Sequence, residues 1–280
     1  MDIHSMRAMG ADRVEFSDLR WYVDSQTGTW FPSATTYLEA YPKGPGMIKF
    51  LKDNGPDADR IMEEAGERGS RVHQMTELYD LGHVVSIYDG LDGRPYAEME
   101  WAMFERYVSF SELHVKEIQL IEERMVDPDL KVGGTLDRLL VLNDGRRMLV
   151  DIKTGNGIYT SHWLQQSVYL EMLRRRGYGD DIGVGILWLN AKTRSDGRGG
   201  AVQGKGWQLV LPPEGMEHYF KLFQMVQNIW WQEHRNAAPR HRTYKSTHQR
   251  LTGRAAMHEE ATHSAATQIN QQDNEHNQAR

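Results

Sequence analysis

The stretch Thr135-Leu136-Asp137-Arg138-Leu139-Leu140-Val141-Leu142, followed by Asn143-Asp144-Gly145 and then Arg147-Met148-Leu149-Val150-Asp151-Ile152-Lys153, decides the fold. Two apolar, β-prone runs, Thr135–Leu142 and Arg147–Ile152, flank a strong turn signal and predict an antiparallel hairpin. Pairing around that turn sets residue 137 opposite residue 151, within one position. Directly opposite side chains share a face with Cβ atoms about 5 Å apart. Strand side chains alternate, so Asp151 and Lys153 share a face while Met148, Val150 and Ile152 take the other and read as core. Two bare, ionised carboxylates so placed repel. A divalent cation resolves the conflict, and hard oxygen donors suit Mg²⁺ or Mn²⁺. Lys153 then supplies a point charge for a phosphate oxygen or orients a water.

Working outward, Gly133-Gly134 precedes the first strand and Thr154-Gly155 follows the second. His162–Arg176 has helical spacing. Gln165 and Tyr169, four apart, lie on one helix face in line with Met172 and Leu173. A helix entered through a short Gly-containing loop can aim both back at the metal edge. Upstream, Val14–Phe31 reads as a hairpin turning near Gln26-Thr27-Gly28. Met47–Asn54 and Asp57–Leu81 read as helices, the second broken or bent at Gly66 and Gly69. Tyr96–Leu113 reads as an amphipathic helix whose stripe of Trp101, Phe104, Tyr107 and Val108 is core. Val115–Val126 reads as a strand. Gly183–Asn190 and Gly206–Leu211 read as a strand pair, and Met216–His234 as a final helix. The expected architecture is α/β, a central mixed sheet flanked by helices with hairpin and helical additions at the N-terminus.

These elements carry a resemblance. Gly-Thr-Leu-Asp137, Asp151-Ile-Lys153-Thr-Gly and Gln165-x-x-x-Tyr169, in that order, resemble the PD-(D/E)XK nuclease superfamily, in particular its RecB-like, phage-type exonuclease branch. Arg68-Gly69-Ser70-Arg71-Val72-His73 is similar to the Gly-x-x-x-His element of that branch, whose His is an additional metal ligand. Phe31-Pro32-Ser33-Ala34-Thr35-Thr36 is similar to its opening Ser-x-Thr-Thr segment. Glu123-Arg124-Met125-Val126 stands where the family places an acidic residue on the first core strand, with Glu122 and Glu117 close enough to substitute. The resemblance covers residues 30 to 210. It implies a restriction-endonuclease-like core and a catalytic set of Asp137, Asp151, Lys153, Gln165 and Tyr169. It also implies a Mg²⁺ or Mn²⁺ site built from His73, Glu123, Asp137, Asp151 and the Ile152 carbonyl. The activity it implies is exonucleolytic hydrolysis of DNA from free ends, in phage or bacterial replication, recombination or repair, with a recombination or single-strand-binding partner. A structure-selective endonuclease of the same superfamily would share the site. A DNA-binding or assembly protein without turnover is disfavoured by the intact Asp137, Asp151 and Lys153. Several relatives hold an iron–sulfur cluster on cysteines; this chain has no cysteine and cannot.

Composition fits a globular, intracellular chain, and the resemblance implies the cytoplasm of a bacterium or of a phage-infected host cell. Hydrophobic residues make up 39%, interspersed with charge, and no apolar run is long enough to cross a bilayer. The N-terminus lacks the apolar region of a signal peptide. A net charge of −6 is at odds with a phosphate-tracking groove. Local basic clusters answer this: Arg174-Arg175-Arg176 at the end of the Gln/Tyr helix, and Lys192 and Arg194 in a Gly-rich loop, are the expected DNA contacts. Between His234 and His258 there are six Lys/Arg and no Asp or Glu. Residues 1–235 are expected to form the catalytic domain. Residues 236–280, rich in Gln, Asn, Thr and Ala, are expected to be a disordered tail.

Overall fold

The computed structural model describes residues 12–16, 19–90, 92–190 and 206–239. Lys192 and Arg194, and nearly all of the expected tail, lie outside them. Strands β1 (Asp12–Phe16), β2 (Leu19–Val23) and β3 (Trp30–Pro32) form an antiparallel sheet in the order β1-β2-β3. The expected two-stranded hairpin is therefore a three-stranded meander, in which β2 pairs with β1 on one edge and β3 on the other. A helical turn follows, α1 (Ala34–Tyr37), capped by Ser33, whose Oγ accepts the Thr36 amide at 2.9 Å. Helices α2 (Pro45–Asn54), α3 (Ala58–Asp80) and α4 (Glu98–His114) come next.

The central sheet contains β4 (Val115–Asp127), β5 (Val132–Leu142), β6 (Arg147–Lys153), β7 (Ile182–Trp188) and β8 (Gln208–Val210), in the order β4-β5-β6-β7-β8. Only the β6–β7 pair is parallel. The parallel step requires a crossover, supplied by α5 (Thr160–Arg175). Helix α6 (Met216–Glu233) closes the described chain. The molecule is thus α/β, a five-stranded mixed sheet with helices on both faces.

Alternation explains how one sheet serves two cores. Leu139, Leu149, Val184 and Ile186 face α5 and α6, where Leu164, Val168, Phe223 and Trp230 are buried. Leu140, Met148, Val150, Ile152 and Leu187 face α3 and α4, where Val72, Met75, Phe104 and Tyr107 are buried. Each such side chain contributes about 1.5–3 kcal/mol by leaving water. The run Arg147–Lys153 is buried on both faces because it is central and carries a parallel neighbour. The β5–β6 turn closes at Gly145 with φ of 86°, a conformation that disfavours side chains.

Helix α3 corrects one expectation. It runs unbroken from Ala58 to Asp80 through Gly66 and Gly69. Gly69 serves close approach: a Cβ on it would lie 3.3 Å from Thr154 Oγ1, so the helix can press against the end of β6, whereas one on Gly66 would meet nothing within 4 Å. That contact brings His73 to the sheet.

Candidate metal centre

The β5–β6 ladder runs from Val141↔Arg147 to Arg138↔Val150. Continuing the register by one residue sets Asp137 opposite Asp151. There the backbone ladder gives way to a side chain: Asp137 Oδ2 accepts the Ile152 amide at 2.7 Å. Asp137 is thereby fixed at the mouth of a cavity of about 650 Å³, within the range of small-ligand sites. His73, Glu122, Lys153, His162, Gln165 and Tyr169 also line this cavity.

Three donors converge. One ligand atom each from His73, Glu122 and Asp137 lies within 4.8 Å of the other two. His73 Nδ1 is 3.4 Å from Glu122 Oε1 and 3.7 Å from Asp137 Oδ2. The other ring nitrogen, Nε2, lies 3.1 Å from the Ile152 carbonyl oxygen. That carbonyl can only accept, so Nε2 carries a proton and Nδ1 is the nitrogen presented to the carboxylates. The Ile152 carbonyl, expected among the metal ligands, lies against His73 at the edge of this cluster.

Glu123 is a second correction. It does not join the cluster; Glu122 does. Flanking residues pair in register, Ile121↔Arg138 and Glu123↔Leu136, while Glu122 adopts φ of 45°. This left-handed residue sends its carboxylate to His73, whereas Glu123 Oε1 pairs with Arg176 at 3.5 Å.

Two carboxylates and an imidazole buried together shift one another's ionisation. Burial pushes the Asp137 carboxyl up, and Asp151 and Glu122 push it further against the pull of His73 and Lys153, to about 6. Burial works against charge on His73, but Asp137 and Glu122 more than offset it and hold the imidazole up at about 9. Burial likewise opposes charge on Glu122, yet His73 and Arg138 keep its carboxyl below the usual range. A divalent cation would satisfy the two carboxylates and the imidazole together. Imidazole and carboxylate donors together suit a divalent cation. With no cysteine in the chain, a cysteine-held iron–sulfur cluster is excluded.

Asp151 sits behind this cluster. It is 1% exposed; Oδ2 meets Lys153 Nζ at 2.7 Å, and Oδ1 has no hydrogen-bond partner among the described residues. Burial disfavours the Lys153 ammonium, but Asp151 and Asp137 outweigh it and raise its pKa. Lys153 is thus a cation held at the cavity wall.

Gln165 and Tyr169 come to the same cavity from α5. Gln165 Nε2 donates to Tyr169 Oη at 3.1 Å, leaving the phenolic proton free to donate. Burial pushes the Tyr169 phenol up, so it keeps that proton. Its ring lies against Gly134, where a Cβ would fall under 3 Å from ring atoms; Gly133 makes the same allowance for Tyr22. The Gly-Gly pair before Thr135 lets two aromatic rings lie on the strand.

Two residues beside the site carried no sequence signal. His162 lies in the cavity, its pKa lowered by burial and by Lys153 to about 4, so the ring is neutral. Its place on the cavity side follows from the helix phase shared with Gln165 and Tyr169. Arg138, adjacent to Asp137 and wholly buried, is taken up below.

The arginine cluster lies away from the cavity. Arg174–Arg176 close α5 at its far end, about 15 Å along the axis from Gln165 at 1.5 Å per residue. There they pair with acidic neighbours: Arg174 with Asp180, Arg175 with Asp127, Asp129 and Glu171, and Arg176 with Glu123. They stabilise the helix end and do not face the cavity. No helix among the described residues is long and apolar enough to cross a membrane. Comparison with protein-family models gives no match, and no curated protein matches the sequence significantly.

Proposed function

We propose that this chain is a divalent-metal-dependent phosphodiesterase of restriction-endonuclease-like fold that hydrolyses DNA from free ends. The observation that carries the reading is the convergence of His73, Glu122 and Asp137 donors beside the Lys153 ammonium in one open cavity. A cation held by these three would lower the pKa of a water and offset charge on a scissile phosphate. The remaining roles belong to the chain. Asp137, anchored on the Ile152 amide, and His73, anchored on the Ile152 carbonyl, keep their donors aimed into the cavity. Lys153 stays protonated, so it acts as a positive charge for a phosphate oxygen and not as the base. Tyr169, with its proton retained and its oxygen held by Gln165, donates a hydrogen bond into the same space. The sequence resemblance, and no feature of the cavity, supports the choice of DNA and of free ends.

The test is degradation of end-labelled linear duplex, linear single strand and closed circular DNA with Mg²⁺ or Mn²⁺, alongside Asp137→Asn and Lys153→Ala. Metal-dependent loss of linear DNA alone, abolished by either substitution, is the expected result. Cleavage of circles would replace the exonuclease with an endonuclease. No cleavage of any substrate with either metal would overturn the reading.

A further inference from the structure

Arg138 is wholly buried in the central sheet, an unusual place for a guanidinium. Its donors are distributed with a pattern. Nη1 donates to Glu122 Oε1 at 3.1 Å and to the Asp137 carbonyl at 2.8 Å. Nη2 donates to Thr76 Oγ1 at 3.1 Å, and that hydroxyl donates to the His73 carbonyl at 2.8 Å. One side chain therefore reaches all three members of the cluster: one by its carboxylate, one by its backbone, and one through a threonine on the same helical turn.

The rear of the guanidinium is occupied separately. Nε donates to Asp80 Oδ2 at 2.6 Å, an ion pair with both side chains fully buried. Asp80 Oδ2 also receives Tyr107 Oη at 2.5 Å, and the guanidinium carbon lies 5.9 Å from the Tyr107 ring centre.

We propose that Arg138 is the positioning residue of the metal centre, fixing Glu122, Asp137 and His73 relative to one another from behind. This rests on the metal reading of the site. The three residues come from β4, β5 and α3, so no single element sets their mutual geometry. Glu122 needs such support most, since a non-glycine residue at φ of 45° persists only where its surroundings hold it. The planar fork of arginine can serve several acceptors in fixed directions, which a lysine ammonium cannot. Asp80 makes the arrangement compatible with a cation, because its charge cancels that of Arg138.

A purely structural ion pair and a positioning residue differ in one readout, cation affinity at constant fold. The experiment titrates the full chain with Mn²⁺ alone by calorimetry, comparing the unaltered protein with Arg138→Lys and Thr76→Val. Folding is followed by thermal unfolding in EDTA. Arg138→Lys is expected to weaken Mn²⁺ binding about 10–100-fold, the usual cost of losing a residue that orients metal ligands. Thr76→Val, which breaks only the link to His73, should weaken it by a smaller factor. Unchanged Mn²⁺ affinity in the variants, whatever their unfolding temperatures, would overturn the proposal. If Arg138→Lys does not fold, Thr76→Val alone decides on the same criterion. Failure of the unaltered protein to bind Mn²⁺ would overturn the metal reading itself, and the proposal with it.

Discussion

Replacing Asp137 by Asn should make the metal-free protein more stable at pH 8, by an amount that follows from the surroundings of the carboxylate. Burial, Asp151 and Glu122 raise its pKa from 3.8 to about 6. An acid whose pKa is raised on folding costs stability once ionised. The penalty is absent below the unfolded pKa, grows between 3.8 and about 6, and is full above that. At about 1.4 kcal/mol per unit, the full penalty is roughly 3 kcal/mol. Asparagine cannot ionise and keeps an oxygen for the Ile152 amide; the pull of protonated His73 is already contained in the raised value. The expected net gain is about 1–3 kcal/mol. At about 2–4 °C per kcal/mol for a domain of this size, the unfolding temperature in EDTA should rise by roughly 2–12 °C. The same comparison at pH 4.5 should show most of the gain gone, because Asp137 is then largely protonated. Destabilisation at pH 8, or a gain of equal size at both pH values, would refute the argument that this carboxylate is held against its own stability.

Three further outcomes follow from the same geometry. Gly134→Ala drives a methyl group into the Tyr169 ring and should cost about 1–3 kcal/mol by overpacking; an unchanged unfolding temperature would mean that the ring does not lie on that strand. Lys153→Met leaves Asp151 buried without its cation and should cost about 3–5 kcal/mol in EDTA; a loss under about 1 kcal/mol in urea titration would show the pair to be weak. The charge on His73 stabilises the metal-free fold fully below 6.5, and that contribution is lost as pH rises through about 9. Binding of Mn²⁺ through Nδ1 must displace this proton, so calorimetry at pH 8 in two buffers of different ionisation enthalpy should report release of about one proton. No release would remove His73 from the ligand set.

The parts of the fold legible in the sequence were those set by local chemistry. Asn143-Asp144-Gly145 and the alternation around it place β5 and β6, and the i, i+4 spacing places Gln165 and Tyr169 on one face of α5. Asp151 and Lys153 share a face because a strand cannot do otherwise. The misreadings arose where distant parts of the chain decide. Alternation gives no warning that Glu122 turns left-handed, which exchanges the carboxylate that reaches the site for its neighbour. Gly66 and Gly69 carry the signal of a broken helix, but only Thr154, far along the chain, shows that Gly69 serves close packing. The arginines closing α5 have acidic partners from three other segments, which a run read by itself does not reveal. Arg138 gave no signal because its partners Thr76 and Asp80 lie about sixty positions upstream.

The central claim is that His73, Glu122 and Asp137 hold one divalent cation, and anomalous diffraction from crystals grown with Mn²⁺ tests it most directly. The account predicts a single strong peak within ligand distance of His73 Nδ1, Glu122 and Asp137, with Lys153 still on Asp151. A cavity without a peak, or a peak on Glu123 or elsewhere that leaves His73 on its carboxylates, would contradict it.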